Sequence, residues 1–238
     1  MKYMGSKARH AKEIIDVILA NSVGCQTWVE PFVGGANIID KVPSHFKRLG
    51  NDINNNLISM FIAIQNGWKP PCNVTEQDYY EIKTNPEKYP KELVAFVAIG
   101  CSYSGKWWGG YARGKSAKGF ERNYCLESRN NLLSQNLKDV VFTSVPYQEM
   151  CIPAYSIIYC DPPYAGTTKY VTGGFDHSRF WTWCDEQVSK GQRVFVSEYT
   201  APDHWKCVWE KKVNNTLTQD TGSKQGVERL FTRALEDA

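Results

Sequence analysis

Residues 159–164 read Tyr-Cys-Asp-Pro-Pro-Tyr and close a short apolar run, Tyr155–Tyr159. β-Branched and aromatic residues dominate that run, which predicts a buried strand. Pro162 and Pro163 forbid both helix and further strand pairing and fix a rigid, extended turn. The Asp161 carboxylate and the Tyr164 ring are therefore held at the carboxyl end of a strand, where ligands bind in open α/β sheets. A fixed acceptor beside a flat ring suits the gripping of a planar base through its exocyclic amine. The isolated tetrapeptide also fits a plain turn in which Asp161 caps a backbone amide.

A second constellation lies upstream. Thr27-Trp28-Val29 reads as a strand running into Glu30-Pro31-Phe32-Val33-Gly34-Gly35, a glycine turn that predicts a helix after it. Glycines let a ligand approach the backbone closely. Asp52 lies 18 residues past Gly34, near the end of the next strand. That is the spacing by which an acidic side chain reaches a ribose. The full G-x-G-x-x-G is absent, so a single nucleoside-like ligand fits better than a dinucleotide.

The positioning elements follow from periodicity. Residues 8–20 carry apolar positions at helical spacing with Ser6 as N-cap, and 56–65 is apolar nearly all round, predicting a buried helix. Residues 93–99 and 178–189 read as further helices. Residues 49–53, 157–159 and 193–197 read as strands, and 206–213 with 228–234 as a closing strand pair. Strand–helix alternation predicts an α/β fold with a mostly parallel, doubly wound sheet. It is interrupted between 68 and 148, which predicts two units: a catalytic domain from 1–67 and 149–238, and a smaller helical and loop insert over 68–148.

Composition sets the outer bounds. The chain has 238 residues, 42% hydrophobic and 22% charged, with a formal net charge of only +3. Polyanion binding must then come from local clustering. No apolar stretch approaches the roughly 20 residues of a membrane span, and no apolar signal region follows Met1, so a cytoplasmic protein is expected. The eight cysteines include no C-x-x-C pair, and the four histidines are scattered. Reduced thiols and no metal are expected.

Four motifs occur in order: Lys2-Tyr3-Met4-Gly5-Ser6-Lys7, Val29 to Gly35, Asn51-Asp52-Ile53-Asn54, and Tyr159 to Tyr164. In these the chain resembles the Dam-like adenine-N6 DNA methyltransferases, of phage or solitary bacterial type. The resemblance covers 1–60 and 155–166 most strongly and the insert least. It implies a Rossmann-like methyltransferase sheet and S-adenosylmethionine as methyl donor. It also implies a cofactor site of Tyr3, Lys7, Glu30, Phe32, Gly34, Asp52 and Asp161, with Tyr3 packing on the cofactor and Asp52 taking the ribose hydroxyls. Catalysis would fall to Asp161, Pro162, Pro163 and Tyr164. Ser6 departs from the family, which more often has glycine there.

Adenine's amine is a weak nucleophile because its lone pair is delocalised into the ring. Acceptors aimed at its hydrogens stabilise the charge that develops on nitrogen as it attacks. The Asp161 carboxylate and the Pro162 carbonyl are assigned that task, and Tyr164 is assigned to stack on the flipped base.

Within 101–130, Lys106, Arg113, Lys115, Lys118, Arg122 and Arg129 face only Glu121 and Glu127, an excess of four positive charges. Tyr103, Trp107, Trp108, Tyr111, Phe120 and Tyr124 are interleaved. Basic groups neutralise phosphates and aromatic rings wedge into a duplex. DNA contacts are expected from Lys7, Arg9, Tyr103, Lys106, Trp107, Tyr111, Arg113, Lys115 and Arg122. The segment from Ser223 to Arg229 offers further phosphate contacts or is an ordinary polar loop. Double-stranded DNA is the expected partner, without a membrane, and the sequence leaves the oligomeric state open between monomer and weak dimer. The same acceptor geometry also fits cytosine-N4 or an RNA base. A non-catalytic DNA-binding module on the same fold and a nicotinamide-dependent oxidoreductase are the remaining readings.

Overall fold

The computed structural model describes residues 1–115, 118–164, 174–214 and 225–234. Helix α1 (Ala11–Ala20) buries Ala11, Ile14, Ile15 and Ile18, the stripe its spacing predicts. Its N-cap is His10 rather than Ser6, whose hydroxyl accepts from the Ala8 amide (3.2 Å) and caps the preceding turn. Strand β1 (Thr27–Glu30) runs into the glycine turn. The helix expected after that turn is absent: only a short 3-10 turn, Ile39–Lys41, forms. Pro43 stops it, and β2 (Lys47–Asn51) begins too soon for a full helix. Helix α2 (Asn55–Gln65) follows, capped by the Asn54 side chain on the Leu57 amide. It buries Leu57, Ile58, Met60 and Phe61 but leaves Ile62 exposed, so one face rather than the whole surface is covered.

Between 68 and 148 lie α3 (Glu76–Thr84), α4 (Lys91–Gly100), α5 (Tyr124–Leu133) and β3 (Val140–Thr143). Helix α3 starts on a Thr75–Asp78 capping box, a signal present in the sequence but unused above. Strand β3 pairs in parallel with β2, Leu49 opposite Val141, so the last part of the segment expected to be an insert belongs to the main sheet. Then come β4 (Ser156–Cys160), α6 (His177–Ser189), β5 (Arg193–Ser197), β6 (Lys206–Asn214) and β7 (Gln225–Thr232).

Among the described residues the strands form one sheet in the order β3-β2-β1-β4-β5-β7-β6. The first five are parallel, while β7 runs antiparallel to both β5 and β6. The doubly wound sheet with its closing pair is as expected. Side-chain alternation sends Trp28 and Ile157 to one apolar layer, with Ile14, Phe61 and Phe96. Val29 and Ile158 go to the other, with Phe180, Trp183 and Val194.

The chain winds outward from β1 through β2 to β3, then returns to β4 on the other side of β1. Strand order therefore reverses between β1 and β4, and the carboxyl ends of that pair open the crevice in which such sheets bind ligands. No helix among the described residues is long and apolar enough to cross a membrane. All eight cysteines are free thiols.

Candidate active site

The β1 side of the crevice is built on close backbone approach. Gly34 sits at φ +48°, and a Cβ there would stand 3.0 Å from Tyr3 Cε1. A Cβ on Gly35 would lie 2.7 Å from Tyr3 Cβ and 2.6 Å from Asn37 Nδ2. The Tyr3 ring thus lies directly on the glycine turn. Asp52 holds the same turn from β2: its Oδ2 accepts from the Gly34 amide (3.1 Å) and its Oδ1 from the Asn54 amide (2.9 Å). Each carboxylate oxygen keeps a second lone pair for a ligand hydroxyl. Burial pushes the Asp52 carboxyl above its ordinary value despite these two bonds.

Asn51 fixes the floor. Its buried amide donates to Pro31 O (3.1 Å) and Val145 O (2.9 Å) and accepts from Thr143 Oγ1 (2.9 Å) and the Val145 amide (3.1 Å). One side chain so ties together the carboxyl ends of β1, β2 and β3.

Across the crevice, Asp161 follows directly on β4. Lys7 reaches it from the N-terminal segment, with Nζ 3.4 Å from Asp161 Oδ1 and 3.3 Å from Glu228 Oε2 on β7. The Tyr164 hydroxyl donates to the same Glu228 oxygen at 3.0 Å. Lys7 Nζ stands 4.5 Å from the Tyr164 ring centroid, and the Tyr199 ring meets that ring edge-on at 4.7 Å. Burial raises the Asp161 carboxyl, Lys7 pulls it back and the Glu228 charge adds to the rise, leaving it above the ordinary range. Burial works against the Lys7 ammonium, but Asp161 and Glu228 overcome it and its pKa is raised.

Glu30, at the end of β1, is 3% exposed, and its Oε1 accepts from Trp28 Nε1 at 2.8 Å. Burial drives its carboxyl well above the usual range; the indole bond opposes this and the Asp161 charge reinforces it. Below the ordinary value both folded and unfolded chains hold the proton; above it only the unfolded chain releases it, so rising pH favours unfolding. Glu30→Gln keeps an acceptor for Trp28 and removes the titration. As pH rises from the ordinary glutamate range through neutrality, wild type should therefore lose thermal stability relative to Glu30→Gln. Parallel melting curves across that range would show that Glu30 is not the buried acid.

Phe32, on the same loop, packs against Tyr147 (5.2 Å), Phe175 and Phe180. Pro162 is buried and Pro163 half-buried beside Asp161.

The residues expected to meet DNA divide into two groups. Arg9, Tyr103, Lys106 and Lys115 are exposed. Lys7 is 6% exposed and committed to two carboxylates, which places it inside the crevice rather than on a DNA-facing surface. Arg113 pairs with Glu76 of α3 and Arg122 with Glu127 of α5, so part of the local charge excess is neutralised; Glu76 lies outside the window over which the charge was counted. Trp107 and Tyr111 pack on the core, and the Tyr111 hydroxyl donates to Val74 O at 2.8 Å. Ser223 and Lys224 of the basic tail lie outside the described residues. Its remainder is β7, where Arg229 donates to Tyr199 O at 2.7 Å. Glu228, Asn51, Tyr147 and Tyr199 were not read from the sequence as site residues. Asn51 stands in the Asn51–Asn54 motif without an assigned role; the place of the other three depends on which strand ends meet, and no local motif marks them.

The sheet order, with an antiparallel strand slotted between β5 and β6, defines the class: a doubly wound, mostly parallel, Rossmann-like α/β sheet. Residues 3–98 match the D12 class N6 adenine-specific DNA methyltransferase family, and the Dam-like resemblance of the motifs fits that match. The matched stretch takes in Tyr3, Lys7, Glu30, Phe32, Gly34 and Asp52 and ends before Asp161. Among solved structures the chain is similar to the N-terminal domain of human METTL16 in complex with SAH. The identity is 9% and the TM-score 0.37, over 96% of this chain and 68% of that one. It is likewise similar to SMU.472 complexed with SAH, at 9% identity and TM-score 0.36, over 98% of this chain and 55% of that one. No curated protein matches the chain.

Proposed function

We propose that the protein transfers a methyl group from S-adenosylmethionine to the exocyclic N6 amine of an adenine flipped out of DNA. The observation that carries this reading is the placement of Asp161 at the carboxyl end of β4, across the switch point from the Gly34–Gly35 turn and Asp52. The absence of a Cβ at Gly35 lets Tyr3 and Asn37 press against the turn, which fixes the Tyr3 ring at the wall that would hold the cofactor. Tyr3, Glu30, Phe32, Gly34 and Asp52 would line the cofactor site, with Asp52 offering its free lone pairs to ribose hydroxyls. When bound, S-adenosylmethionine supplies an electrophilic methyl group.

The chain's own residues do the rest. Asp161 accepts one hydrogen of the amine and the Pro162 carbonyl the other, which draws the nitrogen toward tetrahedral geometry. Pro163 holds the turn rigid, and the Tyr164 ring receives the base. The segment over 68–139 and the exposed Arg9, Tyr103, Lys106 and Lys115 would meet the duplex, with Arg113 and Arg122 exchanging their carboxylate partners for phosphates. Trp107 and Tyr111 serve as packing beneath that surface.

The test is direct. DNA is incubated with the protein and S-adenosylmethionine labelled in its methyl group, then digested to nucleosides. Label is expected in N6-methyldeoxyadenosine. Label only in N4-methylcytosine, label only when RNA is supplied, or no transfer at all would each overturn the reading.

A further inference from the structure

Asp161 accepts from the amine best when its lone pairs are uncontested, yet Lys7 stands beside its Oδ1 and the Tyr164 hydroxyl also acts on the carboxylate. Left to Asp161 alone, a buried ammonium would close to the 2.7–2.9 Å typical of charge-assisted bonds and occupy the acceptor (about that range for N–H···O). It does not: Lys7 sits 3.4 Å from Asp161 and 3.3 Å from Glu228, almost midway between the two carboxylates, and also donates to Gly5 O at 3.2 Å. Glu228 is 18% exposed and its Oε2 also receives the Tyr164 hydroxyl. One carboxylate from β7 thus grips both side chains that flank Asp161.

Its own position is well anchored. The neighbouring Arg229 donates to Tyr199 O. The cross-strand neighbour Lys211 pairs with Glu13 of α1 instead of turning toward Glu228. Nothing in the matched residues 3–98 includes β7, so this group comes from a part of the chain outside that family match.

We propose that Glu228 is a positioning residue for methyl transfer: it draws Lys7 off Asp161 and orients the Tyr164 ring, so that Asp161 meets the target amine as a free acceptor. The proposal rests on the reading of Asp161 as the amine's acceptor. When the base arrives, Lys7 leaves the Tyr164 ring face and moves fully onto Glu228. Without Glu228, Lys7 closes on Asp161, and the amine must displace it.

The titratable and charged groups around Asp161 are Lys7, Glu228, Tyr164, Tyr159, Tyr199 and Glu30. Glu228 is the negative neighbour that raises the Asp161 carboxyl beyond the effect of burial. Removing its charge should lower that carboxyl's titration, whereas a purely structural role for Glu228 would leave it in place.

The experiment compares wild type, Glu228→Gln, Tyr164→Phe and the double variant. Glu228→Gln should lower turnover by about tenfold or more with cofactor affinity within about twofold. The acid limb of its pH–rate profile should move to lower pH. Tyr164→Phe keeps the ring and loses the hydroxyl that bonds Glu228 and also acts on Asp161. Its effect should be smaller, and the double variant should fall short of the product of the two singles. Carbon-13 NMR titration of Asp161, assigned with Asp161→Asn, reads the same shift without any turnover. An unmoved Asp161 titration in a folded Glu228→Gln protein, or unchanged turnover, overturns the proposal. If Glu228→Gln does not fold, additive Tyr164→Phe and Lys7→Met effects on turnover and on the Asp161 titration overturn it instead. Retained methylation in Asp161→Asn would sink the acceptor reading itself and is distinguished by that variant alone.

Discussion

Asp161→Ala should lower DNA methylation by roughly 10²–10³-fold, the usual loss when one pre-aimed partner of a developing charge is removed. The variant should fold. Asp161 is a carboxylate that burial disfavours, and Lys7 keeps Glu228 as a counter-ion when it is gone. Deleting one charge of the cluster therefore strands no other. Cofactor affinity should change little, because the Gly34–Gly35 turn, Tyr3 and Asp52 form a separate wall held by their own bonds. Single-turnover transfer of labelled methyl, with cofactor binding followed by calorimetry, separates the two quantities. Transfer within about threefold of wild type would remove Asp161 from the chemistry. In wild type the rate must also fall as the pH drops through the Asp161 pKa, since only the ionised carboxylate accepts. Burial raises that value, so the limb lies above the range of an ordinary aspartate.

Tyr164→Ala should weaken the flipped-base complex by about 5- to 150-fold, the equivalent of roughly 1–3 kcal/mol of stacking. The ring is held by contacts that do not involve DNA, among them its hydroxyl on Glu228 and Tyr199 at its edge, with Lys7 over the ring until the base arrives. A base landing on it meets a surface already oriented, which lessens the entropy lost on stacking. Fluorescence of 2-aminopurine at the target position reports extrusion independently of transfer. The increase seen with wild type should be reduced in Tyr164→Ala, with S-adenosylmethionine binding unchanged. An equal fluorescence rise would mean that the base rests on another surface.

The legible parts of the fold share a physical cause. Strands β1, β4 and β5 are short runs dominated by apolar residues, and their local composition suffices to mark them; β2, Lys-Arg-Leu-Gly-Asn, is legible only at its carboxyl end. Helices α1 and α6 carry an apolar stripe, and α4 is apolar and buried all round from Val94 to Gly100. By contrast, α5 has a weak stripe, and β3 is four residues with every other side chain exposed. Strand β3 exists because β2 offers it a paired edge. The helix expected after Gly35 fails for the opposite reason: the turn is right, but Pro43 and the early start of β2 leave no room.

By itself the sequence determined the chemistry available: Asp161 locked by two prolines, a bare glycine turn and an acidic side chain at ribose spacing. These are local properties, since dihedral limits and short spacings act within a few residues. Tertiary structure alone decided how those groups are charged and shared. Lys7 faces Asp161 and Glu228 across 154 and 221 positions of chain, and Arg113 is matched by Glu76 from another helix. Charges interact through space, so which carboxylate a cation meets depends on strand order and register. The antiparallel return of β7 beside β5 is what brings a second carboxylate to the rigid turn.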